Sequence, residues 1–253
     1  MSEHTTNELF AVLLAREIGA EDRSVQVGAN MPMARAAAVM ANLGDRPDLR
    51  LVLGLGVNNL AGDRPPPAVY PFLFDPRSMV GEATMVQERV FDDAARPDVF
   101  FVGGLEVDRR GNVNLFGIPD GAGGWKVRGP GGVALATMST NCRGYYVIMP
   151  RHDRRTFVER VALVTALGDR AERARLGFPG GGPRLVLSPL GVFDFDQDGD
   201  MRIRSLHEGV SLEQAREATG FELAGPAEPP LTEPPSAAEL ALLRERVDPE
   251  GTL

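Results

Sequence analysis

Leu9, Phe10, Leu13 and Leu14 recur at helical spacing within residues 5–16, which predicts an amphipathic helix capped by Thr6 or Asn7. The period then shortens to two. Residues 24–28, SVQVG, alternate apolar and polar side chains and end in glycine, the pattern of a strand. Residues 33–43, rich in alanine and methionine, predict a helix with Pro32 just before its first turn and Gly44 at its end. Strand, turn over 28–32 and helix make a βα unit. The short apolar run Leu51, Val52, Leu53 then predicts a second strand, parallel to the first through a right-handed crossover. It ends in Gly54 and Gly56, with Asn58 and Asn59 expected where the chain leaves the strand. Ligands of open α/β sheets bind at the carboxyl ends of strands, so this stretch reads as the rim of a site. It offers two amides and no carboxylate, hydroxyl or thiol.

Five prolines in residues 63–76 exclude regular helix and predict an extended surface excursion, and 82–91 reads as a short helix. Residues 99–103 form an apolar run closed by Gly103-Gly104, a central strand. Residues 106–114, EVDRRGNVN, predict strand–turn–strand about Arg110-Gly111. Residues 117–132 are the most glycine-rich stretch. Further strands are predicted at 145–149, 185–187, 191–195 and 201–206, and a helix at 211–219 with Ser211 and Gln214 as a capping box. A proline-rich segment, 225–235, precedes a last amphipathic helix at 236–247. Alternating helices and strands predict a layered α/β fold with an open, mainly parallel sheet and helices on both faces.

Composition narrows the function classes. The 253 residues are 43% hydrophobic and 25% charged, values of a soluble globular protein. Acidic residues outnumber basic ones, 35 to 27, for a formal charge of -8, which argues against a nucleic-acid partner. One cysteine, Cys142, excludes an internal disulfide and a cysteine-based zinc cluster, and fits a reducing cytoplasm. The polar amino terminus is unlike a signal peptide, and no apolar run approaches the about 20 residues needed to cross a bilayer, so no membrane is expected.

Chemical signals are few. There is no P-loop and no G-x-S-x-G elbow. Asp196, Asp198 and Asp200 sit in DFDQDGD, but the twelfth-position glutamate of a calcium loop is missing, so a polar hairpin tip is expected. The three histidines have no metal-ligand spacing, and no metal is expected. His152, among the three arginines of RHDRR after a strand, either joins Arg151 or Arg154 in holding an anion or belongs to a solvated basic turn. Gly129, Gly131 and Gly132, with Pro130, precede a small-residue run, 133–137, and resemble a loop opening a helix. They read either as backbone N–H groups facing an anion or thioester oxygen, or as a surface turn.

The order of these segments resembles the β-type subunit of family I coenzyme A transferases, the glutaconate and 3-oxoacid transferase group. The resemblance rests on Val27-Gly28-Ala29-Asn30-Met31-Pro32, on Val107-Asp108-Arg109-Arg110-Gly111-Asn112-Val113-Asn114 and on Gly129-Pro130-Gly131-Gly132. It extends through Leu190-Gly191-Val192-Phe193, Leu206-His207-Glu208-Gly209-Val210 and Thr219-Gly220-Phe221. It implies a transferase-like α/β domain over residues 1–224, followed by a tail at 225–253. It also implies an α-type partner subunit, an α2β2 assembly, an active site between subunits, and a coenzyme A thioester as substrate with no bound cofactor. Gly28, Asn30, Asn59, Gly129, Gly131 and Gly132 are the implied substrate-binding positions.

In that family a β-chain glutamate attacks the acyl-CoA carbonyl. Here the matching position is Asn58, an amide that cannot carry the acyl group. Glu106 stands where the family usually has glutamine. It is either a relocated acid or base, or a carboxylate paired with Arg109 or Arg128. A branch resembling the actinobacterial steroid-ring-cleaving CoA hydrolases also lacks the β glutamate and uses water with a carboxylate from the α-type subunit, and the late segments look closest to it. The resemblance therefore implies hydrolysis of a C–C or thioester bond, with two alternatives: transferase chemistry through another carboxylate, and a non-catalytic thioester-binding subunit. Asn58→Glu is expected to leave the fold intact and to introduce acyl-CoA:carboxylate transfer in the assembled enzyme. A folded variant whose activities all match the parent would show the stretch to be architecture alone.

Overall fold

The structure, a computed structural model, describes residues 3–28, 31–53, 56–58, 96–132 and 135–253. The excursion expected at 63–76 and the helix expected at 82–91 lie outside them. The chain divides into two units, Met1–Phe101 with Pro234–Leu253, and Val102–Glu233. The fold is mixed α/β, with parallel strands inside each unit and antiparallel strands at the outer edges. Among the described residues no helix is long and apolar enough to cross a membrane.

In the first unit, helix α1 (Thr6–Glu17) is capped by Thr5. Thr5 forms a reciprocal box with Glu8, whose presence three positions on singles it out from Thr6 and Asn7. Strand β1 (Ser24–Val27) leads to α2 (Pro32–Leu43), with Pro32 in its first turn and Gly44 closing it. The alanines of α2 are small enough for α1 to approach closely, and Leu9, Phe10 and Leu14 of α1 are buried. Strand β2 (Arg50–Leu53) pairs parallel with β1, as the crossover rule predicts. Strand β3 (Gly56–Asn58) pairs antiparallel with β2 at the edge. β4 (Val99–Gly103) enters on the other side of β1, Val99 opposite Val25.

In the second unit β9 (Gly144–Ile148) is wholly buried and pairs parallel with β11 (Pro183–Ser188). β12 (Gly191–Phe195) and β13 (Met201–Leu206) continue the order antiparallel. Tyr145, Tyr146, Phe157 and Phe193 are among its largest fully buried side chains. A smaller sheet holds β5 (Glu106–Asp108) between β10 (Phe157–Val158) and β6 (Val113–Asn114). The glycine-rich stretch contains an exposed hairpin of β7 (Gly117–Pro119) and β8 (Trp125–Arg128). Strands this short show no period a sequence pattern can reveal. The same holds for the short helix α4 (Arg170–Arg175), whereas α3 (Leu135–Asn141) follows the glycine loop as the sequence predicts. Helix α5 (Leu212–Ala218) carries the expected Ser211–Gln214 box.

The tail's helix α6 (Ala237–Leu242), continued by a π turn at Leu243–Val247, belongs to the first unit. Two ion pairs clasp it to α1. Arg244 Nε reaches Glu8 Oε1 at 2.6 Å, and Arg16 Nε reaches Glu239 Oε1 at 2.7 Å. Hydrogen bonding from Arg244 holds the Glu8 carboxyl down at about 2, and Arg16 does the same for Glu239. A carboxyl whose folded pKa is depressed contributes fully above its ordinary value of 4.5, and that contribution drains away as pH falls toward 2. Glu8→Gln should therefore lower the melting temperature at neutral pH, and its deficit relative to the parent should close across that window. A deficit independent of pH would contradict the clasp.

Candidate functional site

The hairpin of β5 and β6 turns where the sequence predicts, through Gly111 at φ 74°. A Cβ at Gly111 would lie 2.6 Å from the Phe195 ring, so both backbone and space require glycine. Asp108 closes the turn. Its Oδ1 accepts from the N–H groups of Arg110 and Asn112, each at 3.0 Å, and its Oδ2 accepts from Asn112 Nδ2 at 3.1 Å. Burial nevertheless pushes the Asp108 carboxyl above its ordinary range. Asn112 Oδ1 in turn accepts from Gly168 N at 2.8 Å and Asp169 N at 3.1 Å. The polar letters of this motif therefore build the scaffold.

Glu106 stands apart from that turn. Hairpin register sets it opposite Asn114, whose Nδ2 donates to Glu106 Oε2 at 2.7 Å and to Gly117 O at 2.9 Å. Ala162 N donates to the same Oε2 at 3.0 Å. Asn114 Oδ1 accepts from Phe116 N and Gly117 N, so one fully buried amide fixes both the carboxylate and the start of β7. The expected pairing of Glu106 with Arg109 or Arg128 is not found. Arg109 lies against Asp200 at 3.3 Å and Glu159 at 3.7 Å, and Arg128 folds over the Phe116 ring at 4.0 Å. The hairpin register carries Glu106 inward, to an amide partner, while the arginines stay at the surface.

Glu106 lines a cavity of about 540 Å³. Leu105, Ile118, Val127, Met149 and Val158 supply apolar wall, and Lys126, Arg151 and Arg155 stand exposed among its lining residues. Roughly 300–1,000 Å³ is the range of small-molecule pockets. Sequence reasoning missed both Asn114 as the holder of Glu106 and this lining. The eight-residue separation across a turn at 110–111 signals the first. The position of Arg151 just beyond a strand's carboxyl end hints at the second.

Gly129 lies beside this cavity, because a Cβ there would press on Leu115 O and approach Leu105 Cδ1 to 2.9 Å. Its N–H donates to Phe116 O at 2.9 Å, which ties it to the hairpin. Gly131 takes φ 99°, and Gly132 faces Thr165 at an ordinary 3.7 Å. The second unit thus brings Glu106 and Gly129 together around β5. In the first unit Gly28 follows β1, and among the described residues a Cβ there would meet only Met31 Sδ at 3.5 Å. Asn58 lies within β3 opposite Leu51, not in a turn beyond β2 as the sequence suggests. Pairing the outer side of β2 satisfies backbone groups that an edge strand would leave open. Asn30 and Asn59 lie outside the described residues.

The remaining polar signals are structural. His152, expected either as an anion ligand or in a solvated turn, is half-buried against the core. Its ring stacks on Phe157 at 3.5 Å, Nδ1 lies 2.7 Å from Ser188 Oγ and Nε2 3.0 Å from Thr219 Oγ1. Burial pushes it down to about 3. His207 lies 3.0 Å from both Thr232 Oγ1 and Ser188 O, next to a turn with Gly209 at φ 81°. Asp196 Oδ1 accepts from Asp198 N and Asp200 N, each at 2.9 Å, which makes DFDQDGD the expected hairpin tip. Among the described residues no group of three or more metal-ligating side chains converges. Cys142 is buried, and its thiol is pushed up to about 12, so it is no nucleophile.

No family model matches the chain. It is 30% identical to the B subunit of the 3-oxoadipate CoA-transferase of Pseudomonas knackmussii over 253 aligned residues, 96% of this chain and 94% of that protein. It is 34% identical to the cholesterol ring-cleaving hydrolase IpdB subunit of Rhodococcus jostii over 173 residues, 67% of this chain and 68% of that one. The crystal structure of glutaconate coenzyme A-transferase from Acidaminococcus fermentans matches with a TM-score of 0.81 at 27% identity. That match covers 99% of this chain and 97% of that chain.

The state of His152 is directly measurable. With burial holding its ring neutral, its imidazole NMR signals should not titrate between about pH 5 and pH 8. A midpoint near the ordinary 6.5 would place the ring in solvent instead.

Proposed function

Because the chain belongs to the family of CoA-transferase β-type subunits, we propose that it serves a heteromeric acyl-CoA enzyme that hydrolyses a C–C or thioester bond without a glutamyl intermediate, position 58 being asparagine. The observation that carries this reading is Glu106: a buried carboxylate held through Oε2 by two N–H donors while it lines an apolar cavity. A carboxylate fixed in this way suits a general base acting on water. The proton of that water passes to Glu106 and its oxygen adds to the substrate carbonyl. On collapse either the C–S bond breaks, releasing the coenzyme A thiolate, or the C–C bond of a β-dicarbonyl breaks, releasing an enolate. The leaving anion then takes the proton back.

The partner in this reading is an α-type subunit in an α2β2 assembly working in the cytoplasm, and it supplies the remaining charge chemistry. Beside Glu106, Gly129 is the glycine of the 129–132 loop that this reading sets against the substrate. Asn58, an amide, has no carboxylate to form an anhydride with the acyl group, and this separates the proposal from the transfer reaction of the 3-oxoadipate and glutaconate relatives. A second reading keeps transfer and makes Glu106 itself the nucleophile. One chemistry distinguishes the two: a glutamyl-CoA thioester on the chain is reduced by borohydride, whereas hydrolysis by water leaves none.

The test assembles the chain with its α-type partner in ¹⁸O water and supplies an acyl-CoA. Hydrolysis places ¹⁸O in the released acid without borohydride-sensitive enzyme. Glu106→Gln keeps an acceptor for Asn114 and Ala162, so the fold should persist while kcat falls about 100-fold or more. Efficient transfer to a free carboxylate, with a trapped thioester on this chain, would overturn the hydrolytic reading.

A further inference from the structure

The cavity beside Glu106 has a polarity that the proposed reaction does not by itself require. Its walls are apolar, its buried carboxylate is held by Asn114 and the Ala162 N–H, and Lys126, Arg151 and Arg155 stand exposed on β8 and just beyond β9. Arg155 is partly balanced by Asp153 at 3.3 Å, with Arg155 85% exposed. An anion is disfavoured beside Glu106 by like charge and favoured at the exposed cations. An apolar group is favoured against Leu105, Ile118, Met149 and Val158.

We propose that this cavity binds the apolar body of an acyl group and that Lys126 and Arg151 hold an anionic group of the same substrate at its exposed side. The proposal rests on the reading of the chain as part of an acyl-CoA enzyme and adds the orientation and the charge of what it takes. Two sources supply such an anion: a carboxylate on the acyl group, or a phosphate of coenzyme A. Lys126 sits on β8 between Trp125 and Val127, which are 43% and 40% exposed, so the hairpin that supplies the cation also supplies cavity wall. Pocket shape and charge preference are thereby coupled through one two-stranded arm.

Calorimetric titration of the full chain tests this with three probes: octanoate, octanamide and coenzyme A. If the anion is an acyl carboxylate, octanoate binds more tightly than octanamide. Lys126→Ala or Arg151→Ala then weakens octanoate roughly three- to tenfold and leaves octanamide unchanged. If the anion is a phosphate, coenzyme A shows those losses and octanoate does not. Arg175→Ala, a charge-matched change at an arginine paired with Glu172, should alter none of them. Probe affinities that are indifferent to Lys126 and Arg151, or no binding of any probe, overturn the proposal. Hydrolysis that persists without any dependence on these residues overturns it alone. Intact anion binding without turnover instead overturns the hydrolytic reading.

Discussion

The Asn114 side chain is the interaction on which the candidate site depends. One carboxamide donates to Glu106 Oε2 and Gly117 O and accepts from the N–H groups of Phe116 and Gly117. It therefore sets the aim of a buried carboxylate and the departure of the β7–β8 hairpin that walls the cavity. A buried amide used at both ends is costly to disturb, because loss of either partner leaves a desolvated polar group. Around it Asp108 and Asn112 pin the turn and the following loop, and Gly111 lets Phe195 close over them. The site is a hydrogen-bonded hairpin with one carboxylate facing a cavity.

Much of this is legible in the sequence. The turn at Arg110-Gly111, the Ser211–Gln214 box, the parallel pairing of β1 and β2 and the hairpin tip at DFDQDGD follow from local rules of spacing and backbone freedom. What escapes a sequence reading depends on partners distant in the chain. His152 looks basic among its neighbours, but Ser188 and Thr219, 36 and 67 residues away, hold its ring. For Glu106 it is the ion-pair alternative that fails, because flanking arginines are visible in sequence and an inward register is not. The edge pairing of β3 escapes as well, because three residues carry no period. Thr5 is different. Its signal, Glu8 three residues later, is present but lies behind two equally good capping residues.

The motifs that carry the family resemblance divide by role. Thr219 and Gly220 shape the core around His152 and Phe157, since Gly220 N donates to Phe157 O at 2.7 Å and a Cβ there would meet the same oxygen at 2.5 Å. His207 and Gly209 fix another turn, and Asp108 and Asn112 a third. These residues account for a shared fold. They do not choose between hydrolysis and transfer. In the proposed reading that choice falls to the residues at 58 and 106, an amide and a carboxylate.

The central claim is that Glu106 acts on the substrate carbonyl through water. A crystal structure of the chain with its α-type partner and a non-hydrolysable acyl-CoA analogue measures this most directly. The account predicts Glu106 one ordered water away from the carbonyl carbon, with Oε2 still held by Asn114 and the Ala162 N–H. A carbonyl seated elsewhere, facing a different carboxylate while Glu106 stays behind the β7–β8 hairpin, would contradict it.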